Sequence, residues 1–436
     1  MMVCPRAGNL MHMMQAGLLF AGLVCSAQTQ TDQPQPVTIQ QAVAEAVDKN
    51  LNVLAERYSI PVAEARIITA GLRPNPVLSI YGDLLNLLPP RYNAENMAGP
   101  PEYGIRTDFI LERGEKRQRR LDVAEAAVST AQLQFLNVVR TVVLDVQSAY
   151  VELLQAKADL ALAQETLETF RQTVQINTSR VRDGDLAEVE LIRTQVVELQ
   201  FENTVAQARL RVNTGRNKLQ VLLGRRRADR VPDATGELRR EELTITVDAL
   251  RERAFGSRPD YLALRRDAAR SLAELRLQLA QGKVDYSIGT EYRRQQGLAG
   301  TGNSVGFFFS SNLPIFNRNQ GEIQRAQQEQ AQADARIRAL QATIENEVET
   351  AYLQYQTARE SLRRVEETML AKATDVRQIT DRAYRRGGVT FLDFLDAQRA
   401  YNDTVQLRNT ALADFAKSLY TIDAATGSSV AGVRRP

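Results

Sequence analysis

The sequence predicts a mainly α-helical protein that also carries short membrane-spanning β-strands, built from one structural unit used twice. Three observations predict this fold: very long heptad-type helical patterns, paired segments that alternate apolar and polar residues, and the recurrence of both roughly 200 residues further along the chain. The 436 residues are 44% hydrophobic and 25% charged, the composition of a folded protein. The formal net charge of +3 is too small to indicate a nucleic-acid or an acidic-membrane partner.

Residues 1–27 are predicted to be an export signal. Arg6 precedes an apolar run that ends at Val24, and small residues follow up to Ala27. The run is too short for a stable membrane anchor, so we expect cleavage after Ala27. Cleavage before Cys25, with lipidation of that residue, is the alternative. Both cysteines and the single histidine of the chain lie in this segment, so the mature chain is expected to contain neither residue type.

An internal repeat divides the remaining chain. The segment VQSAYVEL at 146–153 recurs as VETAYLQY at 348–355, and RVRDGDLAEVEL at 180–191 recurs as RAYRRGGVTFLDF at 382–394. One unit has therefore been used twice. The predicted divisions are a first structural repeat over 28–224, a linker over 225–245, a second repeat over 246–427 and a C-terminal tail over 428–436.

Each repeat is predicted to contain a long antiparallel helical hairpin. Apolar or small residues recur at alternating steps of three and four over 139–174 and again over 348–383, the heptad spacing of a packed helical seam. The seams of the two returning helices are expected to come from Ile192, Val196, Leu199, Ala206 and Leu210 in the first repeat and from Val405, Leu412, Phe415, Leu419 and Ile422 in the second. No proline interrupts either long arm, so each is about 100 Å long. The hairpins cover about 117–223, with a turn at 183–185, and about 320–426, with a turn at 386–389.

Two strand candidates precede each hairpin. In one of them Tyr103, Ile105 and Phe109 lie on one face, whereas Arg106 and Asp108 lie on the other. Strands of nine or ten residues have the length of a tilted transmembrane strand, and this alternation is typical of outer-membrane barrels. Because the helices already use their apolar stripes in helical seams, we expect the apolar strand faces to meet lipid. The candidates cover about 77–85, 103–111, 284–293 and 304–313.

The four predicted strands are too few to close a barrel. An open strand edge in lipid leaves backbone groups without hydrogen-bond partners, at several kcal/mol each, so other copies of the chain are expected to complete the wall. Two copies would fill the interior with side chains, whereas three or more would leave an open lumen. Pro314 ends the last strand, and NRNQGEIQRA at 317–326 starts a polar helix. The sequence therefore predicts a channel with a water-crossing helical extension.

With these features the chain resembles the TolC-like outer-membrane factors of tripartite efflux and secretion systems. The duplicated halves, strand pairs and strand-to-helix junctions carry the resemblance, which runs from TIQQAVAEAVDKN at 38–50 to Gly427. The segments LPIFNRNQGEIQRA at 313–326 and ILERGEKRQRRLDVAEA at 110–126 look most like the branch that serves heavy-metal efflux, of the cobalt-zinc-cadmium and copper-silver type.

The resemblance implies a homotrimer in which twelve strands form one barrel in the outer membrane and twelve helical segments form a tunnel through the periplasm. It also implies docking to a periplasmic membrane-fusion adaptor protein and coupling to an inner-membrane resistance-nodulation-division pump, which supplies the energy. The chain would then be a passive conduit, here for heavy-metal cations. Multidrug efflux and type I protein secretion are alternatives for the same channel fold, and a soluble periplasmic coiled-coil scaffold is a second alternative.

The resemblance further implies a gate at the second helical turn. The segment YRRGGVTFLDFLDAQ at 384–398 resembles the family's gating turn, in which Tyr384 takes the place of a constricting tyrosine. Asp393 and Asp396 take the places of carboxylates that face the lumen, and a trimer would hold six of them in a ring that attracts cations. From the residues alone, the alternative is that both aspartates are solvated charges near a helix N-terminus.

Two features of the turns complete the expected gate. The family's basic residue after the glycines is here Val389 or Thr390, so Arg385 or Arg386 is expected to supply the closing ion pairs. The glycines are expected to end their helices in the left-handed conformation, and the exposed turns are the expected docking tips for the adaptor. The tip residues are Gly184, Asp185 and Leu186 in the first repeat and Gly387, Gly388, Val389 and Thr390 in the second.

Catalysis and cofactor binding are not predicted. The predicted mature chain lacks the imidazole base and the thiol nucleophile on which many enzymes rely. The same two groups are the tight ligands of soft and borderline metals, so no tight metal site is expected either. A metal cargo would pass along a transient carboxylate ring, which suits a conduit because tight binding would slow exit.

Overall fold

A computed structural model describes residues 34–85, 87, 100–226, 229–297 and 299–430. The predicted export signal over 1–27, including Cys25, lies outside the described residues, as does most of the predicted C-terminal tail. In the described residues α-helix dominates and the strands are short, which agrees with the predicted fold class.

The first repeat combines a long helical hairpin with three short helices and a strand pair. Its elements are β1 (Gln35–Val37), α1 (Ile39–Lys49), α2 (Leu51–Arg57), α3 (Ser59–Gly71), β2 (Val77–Asp83), β3 (Glu102–Leu111), α4 (Lys116–Arg182) and α5 (Glu188–Leu222). α4 is one continuous helix of 67 residues, which corresponds to about 100 Å. α5 returns over 35 residues.

The second repeat has a similar order, but it has two helices rather than three before its strand pair, and its long helical arm is interrupted once. Its elements are β4 (Pro232–Ala234) in the linker, α6 (Val247–Ser257), α7 (Pro259–Gln281), β5 (Tyr286–Gly297), β6 (Gly300–Ser311), α8 (Gln320–Arg364), α9 (Leu370–Arg385) and α10 (Phe391–Ala425). A single π-helical turn, Val365–Met369, separates α8 from α9. A 3-10 turn, Ser428–Val430, follows α10.

The two repeats close in the same way, each by docking a helix end on a short-helix junction. Gly224 and Gly427 follow α5 and α10 with φ of 68° and 75°. A Cβ at Gly224 would lie 2.1 Å from the carbonyl oxygen of Lys49, so only glycine fits there. At the two junctions Asn50 donates to the Leu222 carbonyl at 2.8 Å, and Arg258 donates to the Ala425 carbonyl at 3.3 Å.

The predicted linker over 225–245 lies against the middle of the long hairpin. β4 pairs in parallel with β1, with Gln35 opposite Pro232. The Tyr150 hydroxyl lies 2.9 Å from the Val37 carbonyl oxygen and 2.5 Å from that of Thr235, and so ties both strands to α4.

The four longer strands form one antiparallel sheet in the order β2-β3-β5-β6. The register places Ile105 opposite Tyr292, and Ile288 opposite Phe309. On this face the apolar side chains are exposed, whereas the opposite face carries paired charges such as Arg106 and Asp108, 2.8 Å apart. β2 and β6 are edge strands, so both edges of the sheet have unpaired backbone groups within the described subunit.

The helices lie side by side in a fixed order at two levels. Near the sheet, α3 packs on α4, α4 on α7 and α7 on α8. Near the turns, α5 packs on α4, α4 on α10 and α10 on α9. At both levels one edge therefore comes from the first repeat and the other edge from the second repeat.

The predicted seams are correct for α4, α8 and α10 and wrong for α5 and α9. In α5, Val197, Val205 and Ala208 are buried in place of the predicted stripe. α5 and α9 instead carry apolar stripes that remain exposed in the described subunit. The exposed residues are Val189, Ile192, Val196 and Leu199 on α5, Val376 and Ile379 on α9, and Met369 at the end of the π-helical turn that precedes α9.

One helix in the described part of the chain, α4, contains an 18-residue window that meets the length and composition criteria of a membrane span. Its seam residues, among them Val139, Val146 and Leu153, are fully buried within the subunit. Helix packing therefore accounts for the apolar character of α4.

Candidate functional site: the hairpin tips

Both helical turns close through a glycine in the left-handed conformation. Gly184 has φ of 84° and Gly387 has φ of 74°. The Gly387 amide donates to the Tyr384 carbonyl at 2.9 Å, and the Asp185 amide donates to the Arg180 carbonyl at 2.8 Å. These bonds satisfy carbonyls that the helix ends leave open. The prediction is wrong for Gly388, which does not have positive φ.

Tyr384 lies inside the subunit, where the two hairpins meet, and is only 4% exposed. Its hydroxyl donates to Asn177 Oδ1 at 3.0 Å and accepts from Asn177 Nδ2 at 2.8 Å. Its ring stacks on Phe394 with centroids 5.0 Å apart. Burial raises the pKa of the Tyr384 hydroxyl, so the group stays neutral and can keep both bonds. In this conformation Tyr384 is unable to line a lumen, contrary to the constricting position expected from the resemblance.

An aromatic cluster surrounds Tyr384 and holds the tips of the two hairpins together. Asn177 also donates to the Thr194 hydroxyl at 2.9 Å, so one buried amide links α4, α5 and α9. A buried amide with these partners satisfied adds specificity as well as stability. The cluster consists of Phe170, Val197, Tyr384, Phe391, Phe394 and Leu395, with Phe201 and Val389 packed against it.

Asp393 caps the N-terminus of α10. Its carboxylate accepts from the Thr390 hydroxyl at 2.6 Å and from the Thr390 backbone amide at 3.0 Å. The Thr390 hydroxyl accepts from the Asp393 amide at 3.2 Å, which completes a capping box. The bonds from the Thr390 hydroxyl and amide hold the pKa of Asp393 below its ordinary value. Asp393 therefore has the helix-terminal role that the residues alone predict, and because both bonds go to Oδ2 this role is compatible with a place in the gate.

The remaining predicted gate residues are exposed. Asp396 lies one helical turn beyond Asp393 on the outer side of α10. Arg385 pairs with Asp381 on its own helix at 3.0 Å, whereas Arg386 has no carboxylate within 4.0 Å in the described chain. Neither arginine bridges the two hairpins in this conformation. Arg377 does so instead, since its guanidinium lies 3.1 Å from Glu165 of α4.

An open apolar cleft of about 940 Å³ separates the start of α5 from the start of α10. Of the predicted docking residues, Leu186, Gly387, Val389 and Thr390 line it, whereas Gly184, Asp185 and Gly388 lie outside its lining. Its polar groups include Arg180, Glu190 and Arg193. The cleft has the size of a ligand pocket, but its open form suits a protein segment better than a small molecule.

Phe170 of the tip cluster was predicted as a seam residue, whereas the sequence reasoning missed Asn177, Thr194, Phe201, Phe391 and Phe394. A signal for Asn177 was present, because this residue continues the heptad of α4 after Phe170 and Val174. A polar residue at such a position indicates a specific buried partner. Within the described residues there is no group of three or more His, Cys, Asp or Glu side chains that could hold a metal ion.

Paired long hairpins, a sheet open at both edges with an apolar outer face, and helix edges with uncovered stripes define a subunit of a membrane channel with a helical extension. A family profile described as outer membrane efflux protein matches residues 42–225 and 250–428, one match in each repeat. The chain belongs to the outer membrane efflux protein family. Its location is therefore the outer membrane, with the helical part in the periplasm.

Two relatives are similar to this chain in sequence, and a solved structure is similar to it in fold. Nodulation protein T of Rhizobium leguminosarum bv. trifolii is 25% identical over 88% of this chain and 84% of its own length. Cobalt-zinc-cadmium resistance protein CzcC of Cupriavidus metallidurans is 23% identical over 84% of both chains. The crystal structure of CusC, described as forming a transmembrane channel, has a TM-score of 0.74 at 18% identity and covers 89% of this chain and 92% of its own.

Proposed function

We propose that this protein is the outer-membrane conduit of a tripartite efflux assembly: a homotrimer that receives its cargo from a periplasmic adaptor and an inner-membrane pump. The cargo we propose is heavy-metal cations. The trimer, its partners and its cargo go beyond family membership, and each has its own support and test.

The trimer is supported by the arrangement of the edge elements, which is the same in the sheet, near the sheet and near the turns. The edges are β2 and β6 in the sheet, α3 and α8 near the sheet, and α5 and α9 near the turns. Each pair joins an edge of the first repeat to an edge of the second, so copies can associate head to tail in a closed ring. In lipid the edges of β2 and β6 must be paired, and a neighbouring copy is the partner that supplies the complementary edge.

The uncovered stripes of α5 and α9 support the same closure. Ile192 lies eight positions after Gly184, and Ile379 lies eight positions before Gly387, so the two stripes lie at the same distance from the tips. Both stripes have heptad-like spacing, so the α5 stripe of one copy can pack against the α9 stripe of its neighbour to form a helical seam. Three copies give twelve strands, which leaves an open lumen, whereas two would give a filled barrel.

Cysteine crosslinking tests this arrangement. In a background with Cys4 and Cys25 replaced by alanine, the pair Ile192→Cys and Ile379→Cys is expected to give trimers on a non-reducing gel after mild oxidation. Each single-cysteine variant should remain uncrosslinked, because a threefold ring separates identical residues. A ladder that stops at dimers, or no crosslink in membranes that contain the protein, would reject the ring.

The adaptor is proposed to dock at the tip end of the cleft, beyond Ile192 and Val196, which also line the cleft but belong to the stripe that a neighbouring copy would cover. A helical hairpin of the adaptor could lay apolar residues against Leu186, Val389 and the exposed Leu392, in the manner of a helix in a groove. Arg180, Arg193 and Glu190 at the border supply polar contacts. Leu392→Asp should weaken adaptor capture by the purified trimer, whereas Leu407→Asp, at an exposed position farther along α10, serves as the control. Equal capture by both variants would remove the cleft from the proposal.

For the gate we propose that Asp396, with Asp393, forms the carboxylate ring at the inner end of the trimer. Both side chains lie on the exposed side of α10, and three copies would bring six carboxylates around one axis. The exposed Arg386 of each copy is the candidate partner that closes the ring, since Arg385 is already paired with Asp381. When the gate opens, these ion pairs would break and water would solvate the arginine and aspartate side chains.

The metal cargo is supported by the similarity to the cobalt-zinc-cadmium resistance protein. It is also supported by segments 110–126 and 313–326, whose sequences resemble those of the heavy-metal efflux branch. Expression with its cognate adaptor and pump should raise the tolerated concentration of zinc, cobalt or cadmium in a host that lacks its own efflux channel. The tolerated concentration of organic drugs is measured in the same strain as a comparison. Protection against drugs alone would move the cargo to multidrug efflux and leave the conduit intact.

A further inference from the structure

The loop between β6 and α8 presents three large apolar side chains to the outside. Leu313, Ile315 and Phe316 are 77%, 63% and 89% exposed. The backbone of this loop is nevertheless held in place. The Ile315 amide donates to the Leu313 carbonyl at 2.9 Å, and the Asn319 side-chain amide donates to the Gln278 carbonyl at 2.8 Å. The apolar residues are therefore fixed in an outward position, which favours an interaction surface.

This loop directly follows β6, whose exposed Phe307 and Phe309 belong to the lipid-facing side of the sheet. The ring of Tyr286 lies 5.3 Å from that of Phe309, an exposed residue of the apolar face. The guanidinium of Arg113 lies 4.7 Å above the Tyr286 ring. Arg113 is thereby placed at the helix-side end of the apolar face. Since the helices are periplasmic, this end is the periplasmic rim of the membrane band.

Three cations at the rim have no carboxylate partner within 4.0 Å in the described chain: Arg113, Lys283 and Arg318. They belong to neighbouring segments, because a Cβ at Gly114 would lie 2.6 Å from Lys283 Cδ and one at Gly282 would lie 2.8 Å from the Arg318 carbonyl.

The carboxylates of the same region already form ion pairs with other cations. Glu112 pairs with Arg120, Glu115 with Arg119 and Asp285 with Lys116, at 2.5, 2.7 and 2.7 Å. Asp285 also accepts from the Arg113 backbone amide at 2.9 Å. The rim thus keeps a surplus of positive charge beside exposed apolar side chains, which is the combination that anionic membrane surfaces attract.

We propose that Arg113, Lys283 and Arg318 bind the phosphates of anionic phospholipid headgroups in the periplasmic leaflet, while Phe316 and its apolar neighbours lie at the acyl boundary. Continuity with the lipid-facing sheet favours lipid as the occupant. In the proposed ring the α3 of a neighbouring copy lies beside α8, so the Arg73 that follows it, which also has no carboxylate partner among the described residues, would add positive charge to this rim. The proposal depends on the outer-membrane location and not on the cargo or the pump.

Lipid retention by the full-length protein gives the first test. After exchange between vesicles of phosphatidylethanolamine alone and vesicles that also contain phosphatidylglycerol, the purified protein should retain phosphatidylglycerol at a several-fold higher ratio than the bulk lipid. The variant Arg113→Gln, Lys283→Gln, Arg318→Gln should retain lipid at the bulk ratio. Arg253→Gln, Arg336→Gln, Arg338→Gln removes equal charge from exposed helical positions and should keep the enrichment. Enrichment that is absent, or that survives the first variant, overturns the proposal.

Tryptophan fluorescence gives a second test that does not depend on the charge variants, because the chain contains no Trp. The Phe316→Trp variant should be quenched by brominated phospholipid, as should Phe307→Trp on the lipid-facing side. Phe308→Trp should not be quenched, since Phe308 lies on the opposite face with the Arg106 guanidinium 4.2 Å from its ring. If brominated lipid quenches the Phe307→Trp variant but not the Phe316→Trp variant, another copy of the chain covers the loop, and the lipid site is overturned.

Discussion

Asn177 of α4 and Tyr384 of α9 form two hydrogen bonds to each other, at 2.8 and 3.0 Å, and both side chains are buried. The pair joins the first hairpin to the second within 10 residues of each tip. Relative motion of the two tips must break it. The pair is therefore a latch between the hairpin of the first repeat and the hairpin that carries the proposed gate.

Tyr384→Phe tests this latch. The substitution keeps the stacked ring but leaves the buried Asn177 amide with fewer partners, at a cost of about 1–3 kcal/mol. We expect faster amide hydrogen exchange over 384–395 and larger single-channel conductance than in the unsubstituted protein. Tyr401→Phe, on the same hairpin, is the matched control. Unchanged exchange and conductance in Tyr384→Phe would mean that the latch has no role in holding the tips.

The capping box at the start of α10 predicts a pH-dependent tip. The lowered pKa of Asp393 means that its stabilising effect is complete above the carboxyl's unfolded pKa and is lost as pH falls through the lower folded pKa. Protection of the first turn of α10 against hydrogen exchange should therefore decrease only on acidification. Thr390→Ala should remove about 1 kcal/mol of cap stability at neutral pH, and Thr390→Ser should preserve it. Equal protection at neutral and acidic pH would contradict the assignment.

The sequence could predict the repeat, the long helices and the strands because each leaves a regular periodicity, and the family profile matches once in each half. It failed where periodicity is ambiguous. In α5, the predicted stripe through Ile192 and Val196 and the buried stripe through Val197 differ by only one position, so two faces of the helix carry apolar residues. One of them packs within the subunit, and the other is left for a neighbour that a single chain cannot reveal.

The candidate site was harder to predict than the fold. Tyr384 and Asp393 were expected to face a lumen because of their positions in the gating motif. In the subunit Tyr384 is buried, and Asp393 caps the N-terminus of α10. The partners that decide this, Asn177 and Thr390, lie on another helix or in the turn itself. A π-turn at Val365–Met369 also left no signal that we recognised, although such turns commonly mark functional positions in long helices.

The proposed carboxylate ring makes a prediction about ion selectivity. Asp396→Asn removes one charge from each subunit without disturbing the cap, so the cation preference measured from reversal potentials in planar bilayers should fall. Asp396→Asn combined with Asp393→Asn should lower it further. Asp403→Asn, farther along α10, provides the control and should leave the preference unchanged. A reversal potential that is the same in the double variant and the unsubstituted channel would reject the ring at this position.

Two glycines with similar backbone conformations predict very different sensitivities to substitution. Gly184 and Gly224 have φ of 84° and 68°, so alanine is strained at both, at about 1 kcal/mol. At Gly184 an added Cβ meets nothing within 4 Å, whereas at Gly224 it would lie 2.1 Å from the Lys49 carbonyl oxygen. We expect Gly184→Ala to assemble normally with a small loss of thermal stability. Gly224→Ala must displace the α1–α2 junction from the end of α5, so it should yield little folded protein in the outer membrane. Comparable yields and melting temperatures for the two variants would contradict this prediction. They would show that the α1–α2 junction can move away from the end of α5 at little cost.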